Sequence, residues 1–192
     1  MAAQMTISNS PLWRGVRWLV WGGAAFLLLL PLVAMQFTRE VNWTLGDFLV
    51  MGALLAMGGG AYELAVRAAR SNTYVVAFGI AVGTAFLTIW INLAVGIIGD
   101  EDNLANVMFV GVLAVALIGA VLARLEPLRM ARAAELTAAV QSVVGVAALL
   151  IAPGQPEGVI LSGILAAGWF ASGRLFRIAA RDQQAALTRP AG

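Results

Sequence analysis

The chain has 192 residues, of which 61% are hydrophobic and 11% charged, and its mean hydropathy is +0.88. Soluble globular domains run at about 45–50% apolar and about 25% charged residues, so this chain has too few charges to coat a soluble surface. The composition excludes a soluble domain and predicts an all-α integral membrane protein.

What is missing narrows the chemistry. There is no cysteine and no histidine, which removes disulfides, thiolate nucleophiles, cysteine-held metal clusters, and the commonest general base and haem ligand. All twelve basic residues are arginine; without lysine there is no Schiff base and no lysine-bearing phosphate loop. Arginine stays protonated, so it holds anions but carries protons poorly. No cofactor is expected. The net charge is +2, but the arginines are dispersed at helix ends, so no nucleic-acid partner is expected either.

A helix needs about 20 apolar residues to cross the hydrocarbon core. Six stretches qualify: residues 18–36, 47–66, 74–99, 106–123, 133–152 and 158–176. Each is apolar around its whole circumference, as a lipid-embedded helix should be. The short connections place neighbouring helices antiparallel. The expected organisation is a cytoplasmic tail over 1–17, a six-helix transmembrane bundle over 18–177 and a second cytoplasmic tail over 178–192. The first apolar run is longer than the core of a secretory signal, and Val33-Ala34-Met35 is a poor cleavage site. It reads as a retained span.

Arginine placement sets the orientation. Arg14 and Arg17, then Arg67 and Arg70, then Arg124, Arg129 and Arg132, then Arg174, Arg177, Arg181 and Arg189 fall on one side. Only Arg39 falls on the other, eleven against one. The positive-inside rule then puts both termini in the cytoplasm.

Small residues recur at helix-packing spacing, in Gly79 with Gly83 and in Ala56 with Gly60. Such pairs let helix backbones approach closely, and internal packing of the bundle is the expected use. Among polar residues in the spans, Glu63 lies four residues before Arg67, and Glu135 three residues after Arg132. That spacing predicts ion pairs along one helical face; a proton or cation site is the alternative. Asn92 and Gln141 lie deeper, where an amide must find a partner. An interhelical hydrogen bond is expected for each, with a polar path as the alternative.

The loop after the third span carries Asp100, Glu101, Asp102, Asn103 and Asn106. The three acids form an oxygen-rich cluster of the kind hard cations use, but the spacing is not that of an EF-hand loop. The expectation is that Asn103 caps the fourth helix and the acids complement its dipole. Metal binding by Asp100, Glu101 and Asp102, or contact with a partner, are the other readings.

Asn42-Trp43-Thr44 followed by Asp47-Phe48, Tyr62-Glu63-Leu64, the run from Trp90 to Gly99, Glu101-Asp102-Asn103 with Ala105-Asn106, and Met130-Ala131-Arg132 stand out as distinctive segments. Together they resemble a family of small bacterial polytopic inner-membrane proteins of unassigned role. The resemblance covers residues 42–182 and leaves the first helix as an addition. It implies a location in the bacterial cytoplasmic membrane but supplies neither catalytic residues nor a substrate.

The expected function is that of a non-catalytic accessory or assembly component. Its partners would be the lipid bilayer and another membrane protein or a second copy of itself. A small oligomeric transporter or channel for an ion or small solute is the alternative. An intramembrane enzyme is disfavoured, because no span carries the paired aspartates that would replace histidine or cysteine.

Overall fold

The computed structural model describes residues 11–69, 71–99, 102–154 and 156–188. The described residues form six long helices and one 3-10 turn: α1 (Pro11–Ala34), α2 (Leu45–Ala68), α3 (Asn72–Ala94), the turn at Leu104–Val107, α4 (Met108–Ala123), α5 (Pro127–Ile151) and α6 (Glu157–Leu187). All six have a stretch long and apolar enough to cross a bilayer, from 20 to 31 residues. The protein is therefore an all-α, multi-pass membrane protein.

The helix ends follow local chemistry. At the start of α2, Thr44 and Asp47 cap each other: the Thr44 amide donates to Asp47 Oδ2 at 2.7 Å and the Asp47 amide to Thr44 Oγ1 at 3.3 Å. Trp43, just before the cap, packs edge-on against Phe48 with ring centroids 5.2 Å apart. This is a capping box with its hydrophobic staple. Ser71 caps α3 by accepting from the Tyr74 amide at 3.2 Å. Pro127 opens α5 at a first-turn position, where its missing N–H has no helical role to fill.

Four boundaries differ from the sequence reading by five residues or more. The first helix starts at Pro11, seven residues before the expected 18 and within the segment read as a tail; its first turns carry Arg14 and Arg17, which an apolarity criterion rejects. The third helix stops at Ala94 rather than at residue 99, because Gly96 and Gly99 take φ of 73° and 72° and leave the helical region. The fifth starts at Pro127, six residues before the expected 133; its first turns carry Arg129 and Arg132, which an apolarity criterion rejects. The sixth continues to Leu187 through the segment read as a tail, with Ala179 and Ala180 buried.

The chain divides into two compact units at Arg70 and Ser71. The first is the antiparallel pair α1 and α2. The two helices approach closely at Gly59, where an added Cβ would lie 2.8 Å from the Trp21 ring. The absence of a side chain there lets the indole lie directly on α2.

The second unit holds α3 to α6. Its core at one end joins Ile97, Ile98, Phe109, Val112, Val144, Ala148 and Leu165. At the other end Tyr74, Phe78 and Phe176 form an aromatic group, with Tyr74 and Phe176 edge-on at 5.1 Å. Close packing of α4, α5 and α6 runs through small residues. A Cβ on Gly119 would lie 2.8 Å from Ala133 Cβ, one on Gly145 would lie 2.7 Å from Ser162 Cβ, and one on Gly173 would lie 2.8 Å from Glu135 Cγ. The expected packing pairs are elsewhere. Gly79, Gly83 and Gly60 meet no atom within 4 Å, and Ala56 is exposed. The GxxxG face of α3 is open, and the glycines that pack do not fall in that motif.

Candidate functional site

The polar residues of the spans divide into ion pairs at helix ends and a buried set inside the second unit. In the first unit Glu63 is held by Arg17 on α1, with Nη2 2.5 Å from Oε2. Arg67, its expected partner, is exposed on α2. Beside this pair the Tyr62 hydroxyl donates to the Trp13 carbonyl at 3.2 Å. In the second unit Glu135 is gripped by Arg177 of α6. Arg177 donates from Nε to Oε1 at 2.6 Å and from Nη2 to Oε2. Arg132, the expected partner, is exposed. Both acids thus pair between helices rather than along one. A bidentate guanidinium–carboxylate contact fixes orientation as well as distance.

The α3–α4 loop is organised by its two asparagines. Asn106 is 9% exposed, and its Oδ1 accepts the amides of Ile97 at 3.0 Å and Ile98 at 2.9 Å; its Nδ2 donates to the Ile98 carbonyl at 3.3 Å. One side chain therefore replaces the hydrogen bonds that α3 loses where it ends. Asn103 caps the 3-10 turn that runs into α4, accepting from the Ala105 amide at 3.0 Å. A Cβ on Gly99 would lie 2.8 Å from Asn103 Nδ2. Asp102 is exposed, and Asp100 and Glu101 lie outside the described residues, as do Arg70, Arg189 and the first ten residues. Among the described residues no three His, Cys, Asp or Glu side chains come together as a ligand set.

The buried set lies on α3, α5 and α6. Thr84, Thr88, Thr137, Gln141, Ser162 and Ser172 are all buried, at 6% exposure or less. Several of their hydroxyls are satisfied within their own helices. Thr84, Thr88 and Thr137 donate to the carbonyl four residues back at 2.8, 2.8 and 2.9 Å, the usual arrangement for a helical hydroxyl in an apolar setting. Ser172 crosses to α3 and donates to the Ala77 carbonyl at 2.8 Å. Asn92 donates to the Thr88 carbonyl at 2.7 Å, a bond within α3 and not the interhelical bond expected of it.

The remaining polar atoms have no protein partner. These are Asn92 Oδ1, both amide atoms of Gln141, Ser162 Oγ and Trp169 Nε1. The helix register places them at successive levels of α6. Gly145 lies against Ser162, and Gly158 against both Ala148 and the Ile97 carbonyl; Gly168 lies against Thr84. Both α3 and α5 thus run antiparallel to α6. Gln141, one turn before Gly145, faces the stretch of α6 between Ser162 and Trp169. Asn92, two turns beyond Thr84 on α3, lies level with the Ser162 end of that stretch. Sequence reading singled out Asn92 and Gln141 as deep amides; Gln141 is fully buried, whereas Asn92 lies two residues from the end of α3 and is partly exposed. Sequence reading missed Ser162 and Trp169, because serine and tryptophan are ordinary in a membrane helix and only the fold shows their N–H and O–H groups turned inward.

No protein-family model, curated protein or solved structure matches the chain.

Proposed function

We propose that this multi-pass membrane protein is a non-catalytic accessory or assembly component of the bacterial cytoplasmic membrane, with both termini on the cytoplasmic side. One observation carries the reading: each distinctive sequence segment has a structural task. The Asn42–Phe48 region supplies a capping box and staple. Tyr62 and Glu63 tie α2 to α1. The run from Trp90 to Asn106 builds a loop clamped by one buried amide. Met130 and Ala131 pack the first turns of α5. Glu63 and Glu135 are engaged as interhelical clips, which leaves them poorly placed to shuttle protons.

In each unit the arginines of the ion pairs mark one end, which fits the positive-inside assignment. Reporter fusions at Gly192 and after Asp102 are expected to report opposite sides of the membrane. The accessory role is tested by extracting the tagged chain in native lipid. A second membrane protein at fixed stoichiometry, whose abundance falls when this chain is deleted, supports it. A chain that purifies alone and whose loss alters no other membrane protein overturns it.

A second reading, a small transporter for an uncharged solute, is favoured by the unpartnered polar atoms of Gln141, Ser162, Trp169 and Asn92 inside the second unit. Solute-driven swelling of proteoliposomes separates the two.

A further inference from the structure

An open groove of about 490 Å³ runs between α5 and α6, lined by Ala138, Ala139, Ser142, Ala166, Ala167 and Phe170. Ala139, Ser142, Ala167 and Phe170 are exposed, so the groove opens sideways from the helix pair and not at its end. Four alanines leave the space, and Phe170 walls it from α6. The Ser142 hydroxyl donates to the Ala138 carbonyl of its own helix at 2.9 Å, which leaves the floor apolar in character. At 1.5 Å per residue the groove follows α5 for about 10 Å, from Glu135 to Ser142.

Glu135 closes one end of the groove, and its pairing with Arg177 leaves no net charge there. Further arginines flank that end. Gly173 lies against both Ala131 and Glu135, which sets Arg132 and Arg174 at one level on the two helices. Arg132 comes seven residues before Ala139, and Arg174 seven after Ala167; each lies two turns along the groove-facing side of its helix. Arg181 continues the same line on α6. All three are exposed, and among the described residues none has an acid at ion-pair distance.

We propose that this groove seats one acyl chain of an anionic phospholipid, with the phosphate held between Arg132 and Arg174 and approached by Arg181. A sideways apolar slot suits a lipid tail, and guanidinium groups match phosphate oxygens in geometry and charge. Long arginine stems carry those groups out to the headgroup level, and basic pockets between membrane helices are recognition sites for anionic headgroups. A second copy of the chain fits poorly. Among the described residues the acids at this end of the second unit are Glu126, paired with Arg129, Glu135, paired with Arg177, and Asp182. Two copies would therefore set arginine against arginine. The proposal goes beyond the accessory role and holds whichever side of the membrane the arginine end faces.

Native mass spectrometry of the full-length protein tests it, after titration in mild detergent with phosphatidylglycerol or phosphatidylcholine of identical acyl chains. The parent is expected to retain one phosphatidylglycerol in preference to phosphatidylcholine. Arg132→Gln combined with Arg174→Gln should weaken phosphatidylglycerol binding roughly 10- to 30-fold and leave phosphatidylcholine unchanged. Arg39→Gln combined with Arg67→Gln, the same charge change elsewhere, should alter neither; an equal loss there makes the effect one of net charge and overturns the proposal. Ala139→Trp fills the groove from an exposed position and should displace the lipid although every arginine remains. No preference in the parent, or a preference that survives the change at Arg132 and Arg174, overturns the proposal. So does retention by Ala139→Trp equal to the parent's. Displacement by equimolar inorganic phosphate overturns it too, by identifying a site for a free anion and not for a lipid.

Discussion

Arg17 reaches across from α1 to Glu63 of α2, 46 residues away, although Arg67 lies one turn from the same carboxylate on its own helix. Local spacing favours the i to i+4 pair. The interhelical pair prevails because Glu63 faces α1, where its side chain is only 18% exposed, while Arg67 points outward. The carboxylate is drawn to the charge that shares its environment.

Glu63→Gln is therefore expected to loosen α1 from α2. The arginine is 43% exposed, so solvent screening keeps the loss near 1 kcal/mol, above that of a fully exposed pair. Arg67→Gln is expected to change little. Trp13 and Trp21 lie in this unit, and tryptophan emission during a detergent melt reads both variants. If Arg67→Gln lowered the midpoint as far as Glu63→Gln, the interhelical pairing would be wrong. The exchanged pair Arg17→Glu with Glu63→Arg should recover much of the lost stability.

Glycine substitutions separate packing from motif. Gly145→Ala brings a Cβ to 2.7 Å from the Ser162 Cβ, where two helices meet and neither backbone can move freely. Overpacking of this kind costs roughly 1–3 kcal/mol. Gly83→Ala meets open space and gains helix propensity, so its expected change is within about 0.5 kcal/mol. Thermal melts of the two variants in the same detergent check this. Equal losses would mean that the GxxxG face of α3 is covered in the folded protein.

The parts of the fold legible in the sequence were those written in local chemistry. Six apolar stretches, Asn103 as a cap and the burial of Gln141 all follow from residue type and position; Asn92 lies shallower than expected, two residues from the end of α3. The pairing of Glu135 with Arg177 does not, because it depends on the register of α5 against α6. The same register decides that Gly145 packs against Ser162. The start of α5 at Pro127 escaped for a different reason: membrane helices continue beyond their apolar core, and a hydropathy criterion sees only the core. The inward turn of Ser162 and Trp169 had no sequence signal at all.

The loop after α3 offers a graded test. Asn106→Ala strands the Ile97 and Ile98 amides in a buried site. Each orphaned amide costs about 1–3 kcal/mol, so a loss of about 2–5 kcal/mol is expected. Asn103→Ala removes one partly exposed cap bond, worth about 1 kcal/mol. Cysteine placed at Asp102, the first cysteine in the chain, reports loop opening through its alkylation rate. That rate should rise strongly with Asn106→Ala and modestly with Asn103→Ala; the reverse order would remove Asn106 as the clamp.

The turn between α4 and α5 places two non-glycine residues in the left-handed region, Arg124 at φ 49° and Leu125 at φ 61°. Such backbone is costly for residues with a Cβ and persists only where surrounding contacts enforce it. Tyr74 supplies one such contact: its hydroxyl donates to the Leu125 carbonyl at 2.9 Å from a ring that is 2% exposed. Phe176 holds that ring edge-on from α6, so the turn is tied to two other helices through one aromatic group. Tyr74→Phe keeps the ring packing and removes the bond, for an expected loss of about 1–2 kcal/mol. Leu125→Gly relieves the backbone without touching Tyr74 and should recover part of that loss when the two changes are combined. Melts of the single and double variants form a cycle. If Leu125→Gly recovered none of it, the tyrosine would be holding the helices and not the strained turn.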